Sequence, residues 1–323
     1  MGHYTNLTLS EVQDILKIYS LGKVKEITPL SYGISNSNFK VLVINNSQSK
    51  PFLLKISNDK NKSELNEEQE ILDFLKKAGF PLSISPLKTI DQATIFSYKN
   101  YIGAIYPFVE GITPKPEQET CFQIGKALGK LHSLKKESFS NYSIRKHKTI
   151  GFELPFISNF VLDKDCPPKF KEYFWDLFPK GIDSLINEPF EEGIMHGDLY
   201  YDNTLFKDKN IITLLDFEQA GLGPLILDLG ISISGTSLID GKISTSLVEK
   251  FVEGYEKERL LSSIEKKSLN SFILLGLFSI SLWRIYRFKF GELDSKKADS
   301  YIELLERASS FKKELFKTSK EKT

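Results

Sequence analysis

The chain has 323 residues, which is long for one minimal domain and predicts two lobes or two domains. Apolar residues make up 41% of it and charged residues 26%, as expected of a globular protein with a sizeable core. Its 43 lysines and arginines balance 42 aspartates and glutamates, so the formal net charge is +1. That balance argues against a nucleic-acid-binding protein that relies on bulk positive charge.

The cysteines and the apolar runs bear on the cellular compartment. Cys121 and Cys166 stand in no metal-ligand spacing, and two lone cysteines predict a reduced, intracellular protein. The N-terminus carries no basic stretch followed by an apolar run, so no signal peptide is expected. The longest apolar run, Phe272 to Trp283, is shorter than the roughly 20 residues that span a bilayer. We therefore expect a buried helix in a soluble, cytoplasmic protein without a membrane partner.

The first 109 residues predict a β-rich lobe with one long helix. A first helix is indicated by Ser10 with Gln13 three residues on, a capping-box pattern. Strands follow in KEITPLSY, NFKVLVI and PFLLKIS, and the turn NNSQSK predicts a hairpin between the last two. The segment ELNEEQEILDFLKKAG has helical periodicity and ends at Gly79. ATIFSY and YIGAIYPF are two further strand candidates.

The character of the chain changes at Glu110, and Pro114 and Pro116 follow soon after. We place a lobe boundary there, with one lobe over residues 1–109 and the other over residues 110–323. The second lobe is predicted to be mainly helical. Short β-like pieces interrupt it between Gly193 and Phe217, in GIMH, TLF and IITLLDF.

The segment MHGDLYYDNTLF followed by IITLLDFE carries the clearest chemical pattern. Asp198 and Asn203 share a loop, and Asp216 ends a strand. The strands TLF and IITLL, separated by KDKN, predict a hairpin that brings Asn203 beside Asp216. Two oxygen ligands at one point suit Mg²⁺, which takes one or two carboxylates plus substrate phosphates. Asp198 can then accept the hydrogen bond of an attacking hydroxyl group.

A structural alternative exists for these residues, because Asp and Asn in loops usually cap turns. HGD alone, or DFE alone, would say little. The joint pattern of HxDxxxxN, a hairpin-length gap and an apolar strand ending in DFE is far less expected by chance. We therefore favour the catalytic interpretation.

These motifs resemble those of the aminoglycoside phosphotransferase and choline kinase-like superfamily, over about residues 25–310. Within it, the chain most resembles bacterial kinase-like homoserine kinases, in GISNSNFKVLV, IYPFVEG, IGKALGKLH and HGDLYYDNTLF. The resemblance implies an α+β, bilobal protein-kinase-like fold with a β-rich, nucleotide-binding N-lobe. The mainly helical C-lobe would hold the catalytic loop, the metal site and the acceptor site.

The resemblance also implies a reaction. It is the transfer of the γ-phosphate of ATP, with Mg²⁺, to the hydroxyl group of a small molecule, with L-homoserine as the favoured acceptor. Asp198 would be the catalytic base, and Asn203 and Asp216 would bind Mg²⁺. His196 would pack the loop, and Asp228 would anchor the loop backbone. Another hydroxyl acceptor (choline, ethanolamine, an aminoglycoside, a sugar or a hydroxylated amine) and a nucleotide-binding pseudokinase remain alternatives.

In the N-lobe, Lys55 on FLLKIS is expected to reach the α- and β-phosphates, although it could be a solvated strand-end lysine. Glu68 is expected to pair with it, because QEILDFLKKAGFP follows the superfamily pattern, and Glu64 is the reserve. Two further groups of nucleotide contacts are expected: the loop residues Gly33, Ser35, Asn36 and Ser37 on phosphate, and the hinge residues Phe108 and Val109 on adenine. An ordinary polar turn is the alternative for the loop.

The acceptor is expected to lie against the C-lobe. The candidate contacts are Tyr200, Gln219, Trp283, Arg284 and Arg287. An arginine suits the carboxylate of an amino acid through its planar fork. A buried tryptophan with two surface salt bridges is the alternative for the last three. The chain departs from typical homoserine kinases in the residues after Asp216, where it reads Phe-Glu-Gln-Ala-Gly.

Overall fold

The computed structural model describes residues 5–30, 36–46, 48–135, 142, 144, 146, 153–291 and 294–321, with the side chains of 295 and 317–321 left aside. The chain divides into two compact units, Met1–Glu110 and Gly111–Thr323. The helices and strands of the first unit are α1 Leu9–Ile18, β1 Lys23–Leu30, β2 Asn36–Asn45, β3 Gln48–Ser57, α2 Lys62–Lys77, β4 Phe96–Tyr98 and β5 Tyr101–Pro107.

The first unit is built on an antiparallel sheet with the strand order β1-β2-β3-β5-β4. Alternate residues of β3, such as Leu54 and Ile56, are buried in an apolar core that also receives Val12 and Ile15 of α1. Because successive side chains of a strand point to opposite faces, Lys55 points away from that core. It lies on the face to which α2 contributes Glu68.

The first helix begins differently from the prediction. Its capping box is formed by Thr8 and Glu11 rather than by Ser10 and Gln13: Thr8 Oγ1 accepts a hydrogen bond from Glu11 N, and Glu11 Oε2 accepts one from Thr8 N. Thr8 has the extended backbone that an N-cap requires, and a glutamate follows three residues later. Gln13 instead ties the helix to the sheet, because its Oε1 accepts a hydrogen bond from Val24 N at 2.9 Å.

The second unit is mainly helical, with short strand pairs inserted. Its helices are α3 Gln118–His132, α4 Leu154–Leu162, α5 Pro168–Leu177, α6 Asp183–Ile186, α7 Leu225–Thr236, α8 Thr245–Tyr255, α9 Ser263–Arg284 and α10 Tyr301–Glu321. Its strands are β6 Glu192–Met195, β7 Thr204–Lys207, β8 Asn210–Leu214, β9 Gly221–Pro224, β10 Leu238–Ile239 and β11 Lys242–Ile243. Strand β6 pairs with β9, β7 with β8 and β10 with β11, all antiparallel.

Helix α9 contains the apolar run from Phe272 to Trp283. Together with the π-helical turn that follows it, the stretch Ser263–Lys289 is long and apolar enough to cross a membrane by length and composition alone. Its most apolar window is 72% buried inside the protein, as in the core helix of a globular unit. The run therefore forms the buried helix that the sequence predicted.

Helices α3 and α8 approach each other through three glycines, Gly125, Gly129 and Gly254. A Cβ added to Gly125 of α3 would overlap the carbonyl oxygen of Phe251, and one added to Gly254 of α8 would overlap that of Phe122. The two backbones are therefore in contact, with no room for a methyl group between them.

We predict that Gly254→Ala destabilises the protein by about 1–3 kcal/mol, because the added methyl group forces α3 and α8 apart. Helix propensity alone would give the opposite sign, a gain of roughly 1 kcal/mol. Urea unfolding measures the difference, with Glu249→Ala at an exposed position of α8 as the control. A Gly254→Ala protein at least as stable as the wild type would contradict the close contact.

Candidate active site

The first unit brings together the predicted lysine and glutamate. Lys55 Nζ lies 3.5 Å from Glu68 Oε1, and the two side chains are only 14% and 3% exposed. The reserve residue, Glu64, is engaged elsewhere, because its carboxylate accepts a hydrogen bond from Asn61 N in the capping box of α2. A second lysine also reaches Glu68: Lys60 Nζ lies 3.3 Å from Oε2. Sequence reasoning missed Lys60, since nothing distinguishes it from the other lysines of this lysine-rich chain.

The predicted phosphate-binding loop is described only in part. Gly33 and Ser35 lie outside the described residues. Asn36 and Ser37 begin β2 and are buried. Ser37 Oγ accepts hydrogen bonds from Thr5 N and from Asn58 Nδ2, so this hydroxyl group joins β2 to the segments before α1 and after β3. Contacts of these residues with phosphate stay a prediction.

The predicted hinge residues follow β5. Phe108 and Val109 lie beyond the last strand residue, Pro107, and both are partly buried. Lys40 Nζ lies 4.5 Å from the centroid of the Phe108 ring. Neither residue belongs to β5 or to its pairing with β3, so their backbone groups could contact a nucleotide base.

The loop of the second unit that carries Asp198 is held by Asp228 of α7. The two oxygens of the Asp228 carboxylate accept hydrogen bonds from His196 N at 2.6 Å and from Gly197 N at 2.9 Å. Gly197 has φ +80°, a backbone conformation that glycine adopts without strain.

Burial alone would raise the pKa of Asp228. The hydrogen bond from His132 Nε2 at 3.0 Å, with the one from the N–H of Gly197, holds that pKa below its usual value. Asp228 is therefore a buried, ionised anchor for the loop.

His196 is itself a structural link. Burial lowers the pKa of its imidazole, so the neutral ring donates from Nε2 to Leu215 O at 2.9 Å and accepts at Nδ1 from Asp198 N at 3.3 Å. One side chain thus fixes the backbone at Asp198 and the backbone just before Asp216.

The predicted hairpin is present. Thr204 of β7 pairs with Leu214 of β8, and Leu215 N donates to Asn203 O at 2.8 Å. Asn203 therefore lies beside the residues that lead into Asp216. Asp216 has a left-handed backbone, with φ 59° and ψ 66°, which is uncommon outside glycine and is a form of strain concentrated at functional sites.

Asn203 is oriented by Asp198. Its Nδ2 donates to Asp198 O at 2.7 Å and to Asp198 Oδ2 at 3.1 Å. The amide nitrogen faces the aspartate, so the amide oxygen, which is the atom that binds metals, faces the other way. An amide oxygen and the carboxylate of Asp216 fit Mg²⁺. Within the described parts of the chain, no three His, Cys, Asp or Glu side chains are arranged to hold a metal by themselves.

Negative charge is concentrated around Asp198. Its pKa is raised well above the usual value by burial first, and then by the charges of Asp216, Asp202 and Glu218. A nearby cation would relieve this repulsion. A half-buried carboxylate with a raised pKa is also a better proton acceptor than an ordinary aspartate.

The predicted acceptor residues fall into two groups. Gln219 follows Asp216 in a short 3₁₀ turn, and its amide donates to Glu218 at 3.4 Å. Trp283, Arg284 and Arg287 lie at the end of α9 and in the π-helical turn after it, with the Arg287 guanidinium 5.9 Å from the Trp283 ring.

Tyr200 lies in the loop that carries Asp198 and is half-buried against α7. Its ring packs against Gly235 of α7, where any Cβ would overlap the ring. Burial raises the pKa of its phenol, the charge of Asp198 raises it further, and the charge of Arg284 lowers it. Asp198, Tyr200 and Arg284 therefore lie within electrostatic reach of one another.

Sequence reasoning missed Arg307 of α10. Burial lowers the pKa of its guanidinium, the carboxylate of Glu303 raises it, and the charge of Arg284 lowers it. Arg307 therefore belongs to the same neighbourhood. A signal was available, since it is one of only five arginines among 43 basic residues.

The model of a family described as "Phosphotransferase enzyme family" matches residues 26–265. A homoserine kinase from Agrobacterium fabrum is 25% identical to the chain over 297 residues, which is 88% of the chain and 88% of that relative. The predicted resemblance is confirmed by these matches.

Solved structures with the same fold include a microcompartment-associated aminopropanol kinase, with a TM-score of 0.69 at 16% identity over 93% of this chain and 95% of that one. Amicoumacin kinase hAmiN in complex with AMP-PNP, Ca²⁺ and Ami has a TM-score of 0.67 at 14% identity over 93% and 92% of the two chains. The predicted fold class is confirmed.

We predict that Lys55 and Glu68 act as one unit in nucleotide binding. Lys55→Met should weaken the affinity for an ATP analogue by about 10- to 100-fold, since a hydrogen bond to a charged group is worth about 1.5–3 kcal/mol. Glu68→Gln should weaken it through the position of Lys55. The loss of binding free energy in the double variant should then be much smaller than the sum of the losses in the two single variants.

Calorimetric titration with AMP-PNP measures the three affinities, with Lys77→Met in the exposed pair with Asp73 as the control. Lys60→Met should weaken the affinity for AMP-PNP less than Lys55→Met does. The reverse order would assign the phosphate contact to Lys60.

Proposed function

We propose that this chain, which belongs to the phosphotransferase enzyme family and is a small-molecule phosphotransferase, transfers the γ-phosphate of MgATP to the hydroxyl group of L-homoserine. The observation that carries the proposal is the loop from His196 to Asn203. In this loop the side chain of Asp198 is oriented by Asn203, and the backbone of the two residues before Asp198 is bound by Asp228. We propose a cytoplasmic enzyme, in keeping with its buried cysteines.

In the first unit, we assign Lys55 to the α- and β-phosphates of ATP. Its ammonium group is held by the buried carboxylate of Glu68, so its position is set before nucleotide binds. Lys60 shares that carboxylate and adds positive charge beside it. Asn36, Ser37 and the undescribed Gly33 and Ser35 are assigned to phosphate, and Phe108 and Val109 to adenine.

In the second unit, Asn203 and Asp216 would hold Mg²⁺ through the amide oxygen and a carboxylate. Bound Mg²⁺ supplies positive charge that offsets the charge of the phosphates. The hydrogen bond from Leu215 N to Asn203 O places the residue before Asp216 beside Asn203.

Asp198 is assigned the role of base. Asn203 Nδ2 donates to its Oδ2, which leaves Oδ1 to accept the proton of the acceptor hydroxyl. As the hydroxyl oxygen bonds to the γ-phosphorus, the bond from that phosphorus to the β–γ bridging oxygen breaks. The products are ADP and a phosphate monoester, and the proton passes to Asp198.

The choice of L-homoserine is supported by the name of the Agrobacterium fabrum relative and by the arginines near Tyr200. An amino alcohol is the second candidate, because one structure with the same fold is that of an aminopropanol kinase. The two acceptors differ in the carboxylate, so they can be told apart directly.

We predict that Asp198→Asn lowers kcat by about 10²–10⁴-fold, because an amide cannot take the proton. Its affinity for AMP-PNP should stay near that of the wild type. Asp216→Asn should weaken the Mg²⁺-dependent part of AMP-PNP binding as well as turnover.

Both variants would be assayed for ADP release and by titration with and without chelator. Near-normal turnover by Asp198→Asn would exclude it as the base. Equal affinity for AMP-PNP with and without chelator in the wild type would exclude the metal site.

We predict that homoserine has a kcat/KM at least about 10²-fold above that of 3-aminopropan-1-ol, its analogue without the carboxylate, since buried donors left unpaired are costly. Choline and kanamycin should be poorer still. An ADP-release screen with these four compounds decides the acceptor. Faster turnover of 3-aminopropan-1-ol would favour the amino alcohol. No ADP release with any acceptor, despite AMP-PNP binding, would favour a pseudokinase.

A further inference from the structure

Two arginines of the second unit share one carboxylate. Arg307 Nη2 lies 2.8 Å from Glu303 Oε1, and Arg284 Nη1 lies 3.7 Å from Glu303 Oε2. Among the ion pairs of the described residues, these are the ones that the two guanidinium groups make. Two positive charges thus face one negative charge, which leaves an excess of one positive charge between α9 and α10.

The two arginines are less exposed than their partner. The side chains of Arg307 and Arg284 are 12% and 27% exposed, whereas that of Glu303 is 63% exposed. Arg307 also donates from Nε to Gly241 O, and Arg284 donates from Nη1 to Ser300 O, so both are held in place. A desolvated, fixed positive charge binds an anion more strongly than one in water.

The position of this pair relates it to the acceptor. Tyr200 lies two residues after Asp198 and is within electrostatic reach of both arginines. Tyr200 also packs against Gly235 of α7. Asp198, Tyr200 and the two arginines therefore belong to one neighbourhood of the second unit.

The backbone is irregular at the same place. Helix α9 ends at Arg284 and continues as a π-helical turn, Ile285–Lys289, closed by a hydrogen bond from Phe290 N to Ile285 O at 2.9 Å. Such turns are rare in proteins overall, but many of those that occur lie at functional sites. They turn the following side chains away from their α-helical directions. Arg284 stands directly before this turn.

We propose that Arg284 and Arg307 together bind the carboxylate of the acceptor. The proposal rests on the proposed function for the identity of the acceptor. The excess of a single positive charge suits a monoanion. The ligand class is a small hydroxy acid or hydroxy amino acid.

The test uses two substitutions with opposite expected effects. Arg307→Gln should raise the KM for homoserine by about 10- to 100-fold, with kcat little changed, since it removes a charged hydrogen bond made in both ground and transition states. Glu303→Gln should lower that KM severalfold, because it removes the carboxylate that competes with the substrate. The KM for 3-aminopropan-1-ol should not change in either variant.

A merely structural role for the ion pair gives a different result. In that case both variants would change the KM for homoserine and the KM for 3-aminopropan-1-ol alike and in the same direction. This result would overturn the proposal. Glu303 is exposed, so Glu303→Gln keeps the test valid even if Arg307→Gln fails to fold. Arg307→Lys, which keeps the charge but loses the fork, should restore part of the affinity.

Binding of L-2-aminobutyrate separates this proposal from the proposed function. The compound keeps the carboxylate and the amino group of homoserine but has no hydroxyl group, so its binding needs no phosphate transfer. If the wild type does not phosphorylate homoserine, the proposed function fails. Affinity for L-2-aminobutyrate that falls in Arg307→Gln and rises in Glu303→Gln would still support the carboxylate site, and unchanged affinity would overturn it.

Discussion

The chemistry of the second unit depends on the buried carboxylate of Asp228. A carboxylate without partners in an apolar core would be strongly destabilising, so its cost must be offset by hydrogen bonds. Here they come from the backbone of His196 and Gly197 and from the ring of His132. The same hydrogen bonds that offset the cost of the buried charge fix the two residues before Asp198, so stability and the position of the proposed base depend on one interaction.

Asp228 is held in turn by a chain of polar contacts that begins at His132. His132 Nδ1 lies 2.8 Å from the hydroxyl group of Tyr255, which accepts a hydrogen bond from Arg259 Nη1 at 3.0 Å. Arg259 pairs in turn with Glu265, whose other oxygen completes the capping box of α9. A line of buried polar contacts thus runs from the N-terminus of α9 to Asp228. In such a network each group orients the next, so the loop is held by four helices, α7, α3, α8 and α9, rather than by one contact.

The sequence was sufficient where a pattern is local and was insufficient where contacts are distant. The hairpin that carries Asn203 towards Asp216 follows from two apolar runs and a turn, all within a few residues of each other. The choice between Glu68 and Glu64 was harder, because the two lie one helical turn apart. The structure shows Glu64 in a capping box, a local role that its position three residues after Asn61 could have indicated. Lys60 and Arg307 could not be placed, since no periodicity tells which of many basic side chains turns inward.

The distribution of charge in the second unit argues for a zwitterionic acceptor. Burial, and then the charges of Asp216, Asp202 and Glu218, raise the pKa of Asp198, so acidic side chains are concentrated around it. The pair of arginines described above provides positive charge in the same unit. A molecule with an ammonium group and a carboxylate would be oriented by this gradient before any specific contact forms. Choline carries only the positive charge, so it would gain at the acidic side and meet repulsion at the arginines. A free amino acid with a side-chain hydroxyl carries both charges on its α-carbon, so each charge meets side chains of the opposite sign, and the hydroxyl group at the other end of the molecule is the group that the proposed base would deprotonate.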